Sequence, residues 1–150
     1  FLWENCAQLT IEELTKSGCY EQKDLFEAMY KGTQAKVRIM RRYPEIGKFT
    51  LKVYYEKDPE VRADIQKSIA KYADFKQNVK QLNFDSSQFV PGIDIEMMYN
   101  DMYWASEGYI WEKIQDEKYD VDMMERDFLK MVDFWKSIYL RKEGEHDEGN

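Results

Sequence analysis

Apolar residues recur every three or four positions along most of the chain, and that period predicts a succession of helices. In residues 1–16, Trp3, Cys6, Ala7, Thr10 and Leu14 fall on one face, broadened by Leu2, Leu9 and Ile11. Glu4, Gln8, Glu12 and Glu13 are polar. Gly18 is a helix stop, followed by a short polar link. Asp24, with Glu27 three residues on, opens a second helix with a spacing like that of a capping box. Its apolar face is Phe26, Met29, Tyr30, Thr33, Val37 and Met40. Tyr43-Pro44 ends it, because a residue before proline is pushed out of the helical region, and Pro44 can begin the next helix. There Ile46, Phe49, Val53 and Tyr54 repeat through Lys57.

Asp58-Pro59-Glu60 is the strongest local start signal: a cap, a first-turn proline and a first-turn acid. The helix it opens carries Val61, Ile65, Ile69, Tyr72, Val79 and Leu82 to about Asn83. Residues 84–93 contain Asp85-Ser86-Ser87 and Val90-Pro91-Gly92 and read as a loop, pinned to the core by Phe84, Phe89 and Val90. Asp94 caps a fifth helix. Asp120 caps a sixth, with Tyr119 and Met124 placed as a hydrophobic staple.

The last two helices, over residues 94–118 and 121–141, organise the rest. The first has a broad stripe of Ile95, Met98, Tyr99, Met102, Ser106, Tyr109 and Ile110. A second stripe lies opposite, with Met97, Trp104, Gly108 and Trp111. A helix with two apolar faces must bury both. Gly108, among large neighbours, allows another helix to come close. The sixth helix repeats Val121, Met124, Phe128, Met131, Val132, Trp135, Ile138 and Tyr139. These patterns predict an all-α fold of six helices in an orthogonal and antiparallel bundle. The last two helices would dock against a second copy as a four-helix dimer interface. Its expected residues are Met97, Trp104, Gly108, Trp111, Phe128, Met131, Trp135 and Ile138. Residues 1–142 form one ligand-binding and dimerisation domain, and 143–150 an acidic disordered tail.

Composition narrows the function. A net charge of −7 repels phosphate backbones, so nucleic-acid binding by this segment is disfavoured. The one histidine, His146, stands in the tail. Glu143 and His146 have Glu-x-x-His spacing, but a di-iron bundle needs that motif on two core helices. No histidine-assisted nucleophile and no glycine-rich phosphate loop occurs, and the reading is not an enzyme, without cofactor or metal. Cys6 and Cys19 have no metal or redox spacing and read as reduced thiols of a cytoplasmic protein. No apolar run is long enough to span a membrane. The chain opens at Phe1 within a helical pattern, so further residues are expected upstream. Lys31, Lys36, Arg38, Arg41, Arg42, Lys48 and Lys52 make a basic patch. It reads either as a solvated face or as a contact surface for a neighbouring domain or DNA.

With 11 Tyr and 8 Met the chain is rich in pliable or polar-tipped side chains, which suit a cavity wall. The candidate ligand-binding residues are Cys6, Met29, Tyr30, Thr33, Tyr54, Tyr72, Met98, Tyr99, Met102 and Tyr103. Buried hydroxyls need partners, and so many tyrosines favour a cavity holding a small hydrophobic or aromatic effector.

Three strings carry a resemblance. They are Asp24-Leu25-Phe26 followed by Arg41-Arg42-Tyr43-Pro44-Glu45-Ile46; the loop from Phe89 through Ile95; and Met102-Tyr103-Trp104-Ala105-Ser106-Glu107-Gly108-Tyr109. In order and spacing they resemble the C-terminal effector domain of TetR-family transcriptional regulators, over nearly all of residues 1–142. The resemblance implies an N-terminal helix-turn-helix head lying outside this chain, joined through the first helix. It also implies a homodimer made by the last two helices and a small-molecule pocket among the earlier ones. The expected function is that of a regulatory domain, of a repressor, in which effector binding shifts the spacing of two DNA-binding heads. Operator DNA would be bound only through those heads. The alternative is a stand-alone helical protein–protein interaction module without a small-molecule ligand.

Overall fold

The computed structural model describes residues 2–72, 84–115 and 120–142. Its six helices are α1 (Leu2–Ser17), α2 (Leu25–Arg42), α3 (Pro44–Tyr54), α4 (Pro59–Tyr72), α5 (Ile95–Gln115) and α6 (Val121–Tyr139). Two single-turn 3-10 helices, Cys19–Glu21 and Ser86–Gln88, lie before α2 and α5. No β-strand occurs among the described residues, and the fold is all-α, as the periodicity predicts. The expected run of the fourth helix to Asn83, the staple residue Tyr119 and the acidic tail lie outside the described residues.

Aspartates start the helices. Asp24 accepts from the Phe26 and Glu27 amides at 2.8 and 3.1 Å. Asp58 does the same for Glu60 and Val61 at 2.9 and 3.2 Å. Asp94 accepts from Met97 N at 3.0 Å and Asp120 from Met123 N at 2.7 Å. Each satisfies amides that the helix leaves unpaired and places negative charge at the positive end of the helix dipole. Gly18 stops α1 in the left-handed region at φ 69°, a conformation open to glycine at little cost.

α2 is the central element, packed between α1 and α6. Leu25 and Phe26 from its first turn meet Phe89, Met98 and Met102, with Val132 and Trp135 of α6, in the main core. Phe26 and Val132 have no exposed surface. A smaller core joins Leu14, Cys19 and Ala35. Burial of each large side chain contributes about 1.5–3 kcal/mol, which makes these clusters the main source of stability.

Polar bonds then fix how the helices are turned. Arg41 reaches Asp122 and Glu125 of α6 at 2.7 and 2.6 Å, and Tyr30 donates to Asp133. Tyr109 of α5 donates to Asp127 at 2.9 Å, and Tyr139 of α6 to Asp101 at 2.8 Å. In both helix pairs residue numbers rise on one helix as they fall on the other, so α6 runs antiparallel to α2 and to α5.

The segment before α5 is tied at both ends. Gln88 accepts from Leu25 N at 3.3 Å and donates to Lys23 O at 3.2 Å. Beyond it, Val90 N donates to Tyr139 O at 2.9 Å and Arg141 N to Gln88 O at 2.8 Å, about an isolated bridge of Phe89 with Leu140. The head of α2, the loop and the end of α6 thereby form one knot.

Candidate functional site

Two features stand out: the polar side chains Lys36, Tyr55 and Glu107, and an uncovered apolar face on the α5–α6 hairpin.

Lys36 stands in the middle of α2. Its neighbours in sequence, Ala35 and Val37, are buried. At about 100° per residue, Lys36 shares its face of α2 with Met29, Thr33 and Met40. Water reaches Lys36, yet surrounding protein strips enough hydration to lower its pKa, against the opposite pull of Cys19 and Glu107. On α5, Glu107 Oε2 accepts the Tyr55 hydroxyl at 3.2 Å. Burial, then the Glu107 charge, raises the Tyr55 pKa. The Tyr55 ring packs on Trp111 with centroids 5.2 Å apart, and the Lys57 ammonium lies 5.6 Å over Trp111. Tyr20, next to Cys19, has its pKa raised by burial and then by Cys19.

The expected ligand residues divide. Met29, Tyr30 and Tyr99 are half-buried against the main core, and Met98 and Met102 lie inside it at 2 and 5 % exposure. The last two fill the core; they do not line an opening, because Phe26, Val132 and Trp135 pack into the same space. Cys6 is buried on α1, apart from that cluster, and Thr33 is half-buried on the Lys36 face of α2. Tyr103 is exposed. Tyr54 ends α3 and Tyr72 ends α4, and their side chains lie outside those described.

Four of the 11 tyrosines have carboxylate partners within the chain. The hydroxyls of Tyr30, Tyr55, Tyr109 and Tyr139 donate to Asp133, Glu107, Asp127 and Asp101. Carboxylates of the protein itself satisfy them. The basic patch also disperses: Arg41 is engaged by α6, Lys48 by Glu45 at 3.1 Å, and Arg42 lies over the Tyr43 ring.

On the hairpin, Met97, Trp104, Trp111 and Ile138 are 54, 59, 37 and 44 % exposed, and Gly108 has open space where a side chain would stand. Three other expected interface residues do not share this face. Trp135 is 2 % exposed within the core, and Phe128 and Met131 pack against the same cluster. The physical reason is the rotation of α6. Arg41 and Tyr30 hold its Asp122, Glu125 and Asp133 flank to α2, which turns Trp135 inward and its neighbour Phe134 outward. Phe134, 61 % exposed, is the residue that the pattern missed. The pairs Tyr109–Asp127 and Tyr139–Asp101 set the register, bringing Phe134 level with Trp104 on the side of the hairpin away from α2.

Both cysteines are free and buried, and no group of metal-ligating side chains occurs among the described residues. Nor is any described helix long and apolar enough to cross a membrane. No family model, curated protein or solved structure matches the chain.

Proposed function

We propose that the chain is the effector-binding and dimerisation domain of a TetR-like, cytoplasmic transcriptional regulator acting as a repressor. One observation carries this reading: Met97, Trp104, Phe134 and Ile138 stand uncovered together on the outer face of an antiparallel helix pair. Scattered apolar residues are ordinary on a surface, whereas a contiguous patch marks an interaction site. Large aromatic anchors around an open glycine suit two such hairpins closing on one another.

The remaining support comes from the arrangement around α2 and from charge. In this reading Met29, Thr33 and Met40, on one face of α2, meet a small, partly apolar effector. α2 is joined to α6 through Arg41 and Tyr30, the route by which a shift of α2 would act on the outer hairpin. In the intact regulator, a homodimer holds two recognition helices about 34 Å apart, in successive major grooves. An effector preferring another spacing shifts the population toward it, and about 1–3 kcal/mol of coupling changes operator affinity roughly 5- to 150-fold. With a net charge of −7, this domain leaves DNA contact to the heads.

Sedimentation equilibrium tests the reading. A dimer is expected at micromolar concentration, and Trp104→Asp with Phe134→Asp is expected to give a folded monomer. A wild-type chain that stays monomeric overturns the regulator reading. It favours an interaction module whose hairpin face serves a different protein.

A further inference from the structure

We propose that Trp111, Tyr55 and Glu107 form a binding site for a small alkylated ammonium ion, and that the Lys57 ammonium is its resident stand-in. The inference stands apart from the regulator reading, which is carried by Met97, Trp104, Phe134 and Ile138. Trp111 lies about two helical turns along α5 from Trp104.

Two elements build the place. Glu107 and Trp111 are four apart on α5 and share one side of that helix. Tyr55, at the end of α3, comes against both. Its hydroxyl donates to Glu107 Oε2 at 3.2 Å, and its ring centroid stands 5.2 Å from that of Trp111. The two rings are inclined at 52°, so they make a corner rather than a stack. The Lys57 ammonium lies over the Trp111 ring, 5.6 Å from its centroid, within the roughly 6 Å over which an aromatic face attracts a cation. Trp111 and Lys57 are both exposed, so a solute reaches them.

This contact differs from the other cation–ring pairs. Arg42 lies over the adjacent Tyr43, and Lys113 over Tyr109 one turn earlier. Those pairs follow from helical spacing. Lys57 instead reaches from the link between α3 and α4 to a different helix, so the fold itself brings a cation to this ring.

The surroundings decide the class. An anion would meet the Glu107 carboxylate, and a neutral molecule would gain apolar contact alone. A primary ammonium such as that of Lys57 is strongly hydrated and keeps a loose hold on an exposed ring. An alkylated ammonium sheds water more readily, lays its methyl groups on both rings and keeps its charge beside Glu107. The net charge of −7 draws cations to the whole surface.

Ligand-observed nuclear magnetic resonance at constant ionic strength tests this. The probes are choline and its neutral carbon isostere, in which a tert-butyl group replaces the trimethylammonium. The wild-type chain is expected to bind choline about five- to thirtyfold tighter than the isostere. Lys57→Met removes the competing charge and is expected to tighten choline about threefold or more. Glu107→Gln, which keeps an acceptor for Tyr55, and Trp111→Leu are expected to remove the preference for choline. A gain in one variant beside losses in two others does not arise from a general loss of structure, and circular dichroism checks the fold of each. Equal binding of the two probes overturns the proposal, as does choline binding that Lys57→Met leaves unchanged or weakens. No binding of choline at tens of millimolar overturns it too. Phosphatidylcholine vesicles present the same trimethylammonium on a lipid surface. Co-sedimentation with them, without binding of free choline, overturns the small-ion site in favour of a membrane contact. The sedimentation equilibrium run is made without choline and still judges the regulator reading separately.

Discussion

Tyr109 and Asp127 are joined by a hydrogen bond of 2.9 Å that crosses from α5 to α6. Both side chains are half-buried, so the bond is shielded from water without being sealed from it. Tyr109→Phe keeps the ring and removes the donor. It is expected to cost about 1–2 kcal/mol in urea unfolding, the range for a hydrogen bond to a charged acceptor. A double-mutant cycle with Asp127→Asn separates this bond from ring packing. An absence of coupling would show that the pair adds nothing to the hairpin.

Adjacent residues on α6 are expected to behave in opposite ways. Trp135 is 2 % exposed and Phe134 61 %. Trp135→Ala should cost about 3–5 kcal/mol through the lost core contacts and the cavity left behind, a large part of the roughly 5–15 kcal/mol that a domain has. Phe134→Ser should leave the stability of the isolated chain within about 0.5 kcal/mol while weakening self-association. Chemical denaturation measured at low and high protein concentration reads both effects.

Alkaline pH should weaken the fold from above about pH 10. Burial first, then Asp133, pushes the Tyr30 hydroxyl up to about 12. Burial followed by the partner carboxylates also raises Tyr55 and Tyr109. Unfolded tyrosine titrates near pH 10. Between about pH 10 and pH 12 the unfolded chain has lost protons that the folded chain keeps, so stability falls as pH rises; below about pH 10 both states are protonated and this contribution is complete. Unfolding midpoints across that range, with phenolate absorbance followed in parallel, check the sign. The slope should flatten in a chain carrying Tyr30→Phe, Tyr55→Phe and Tyr109→Phe.

Local chemistry made the helices legible in the sequence. Asp24, Asp58, Asp94 and Asp120 start helices where their spacing places them, and Tyr43-Pro44 divides α2 from α3. Such signals act within a few residues of their own position. The second apolar face of α5 was legible as well, because Met97, Trp104 and Trp111 keep helical spacing on the side opposite Met98 and Met102.

Rotation was not legible. Trp135 and Phe134 differ by about 100° around α6, and both suit a core. The choice between them depends on Arg41 and Tyr30, about a hundred positions earlier. Lys36, in a basic stretch, reads as surface and is exposed. Its spacing of seven from Met29, three from Thr33 and four from Met40 placed it on the apolar face. Of the expected cavity tyrosines, Tyr30 instead reaches a carboxylate on another helix, Asp133, which a reading confined to one helix assigns to solvent.

The knot around Gln88 bears on how the chain is made. Tyr139 and Arg141 supply its final backbone bonds, while Val132 and Trp135 supply one wall of the main core. A growing chain that has reached only Met98 has therefore produced Phe26, Phe89 and Met98 before Val132 and Trp135 can close over them. The main core can be completed only once α6 has been made, and apolar surface left open in such partly made chains favours aggregation.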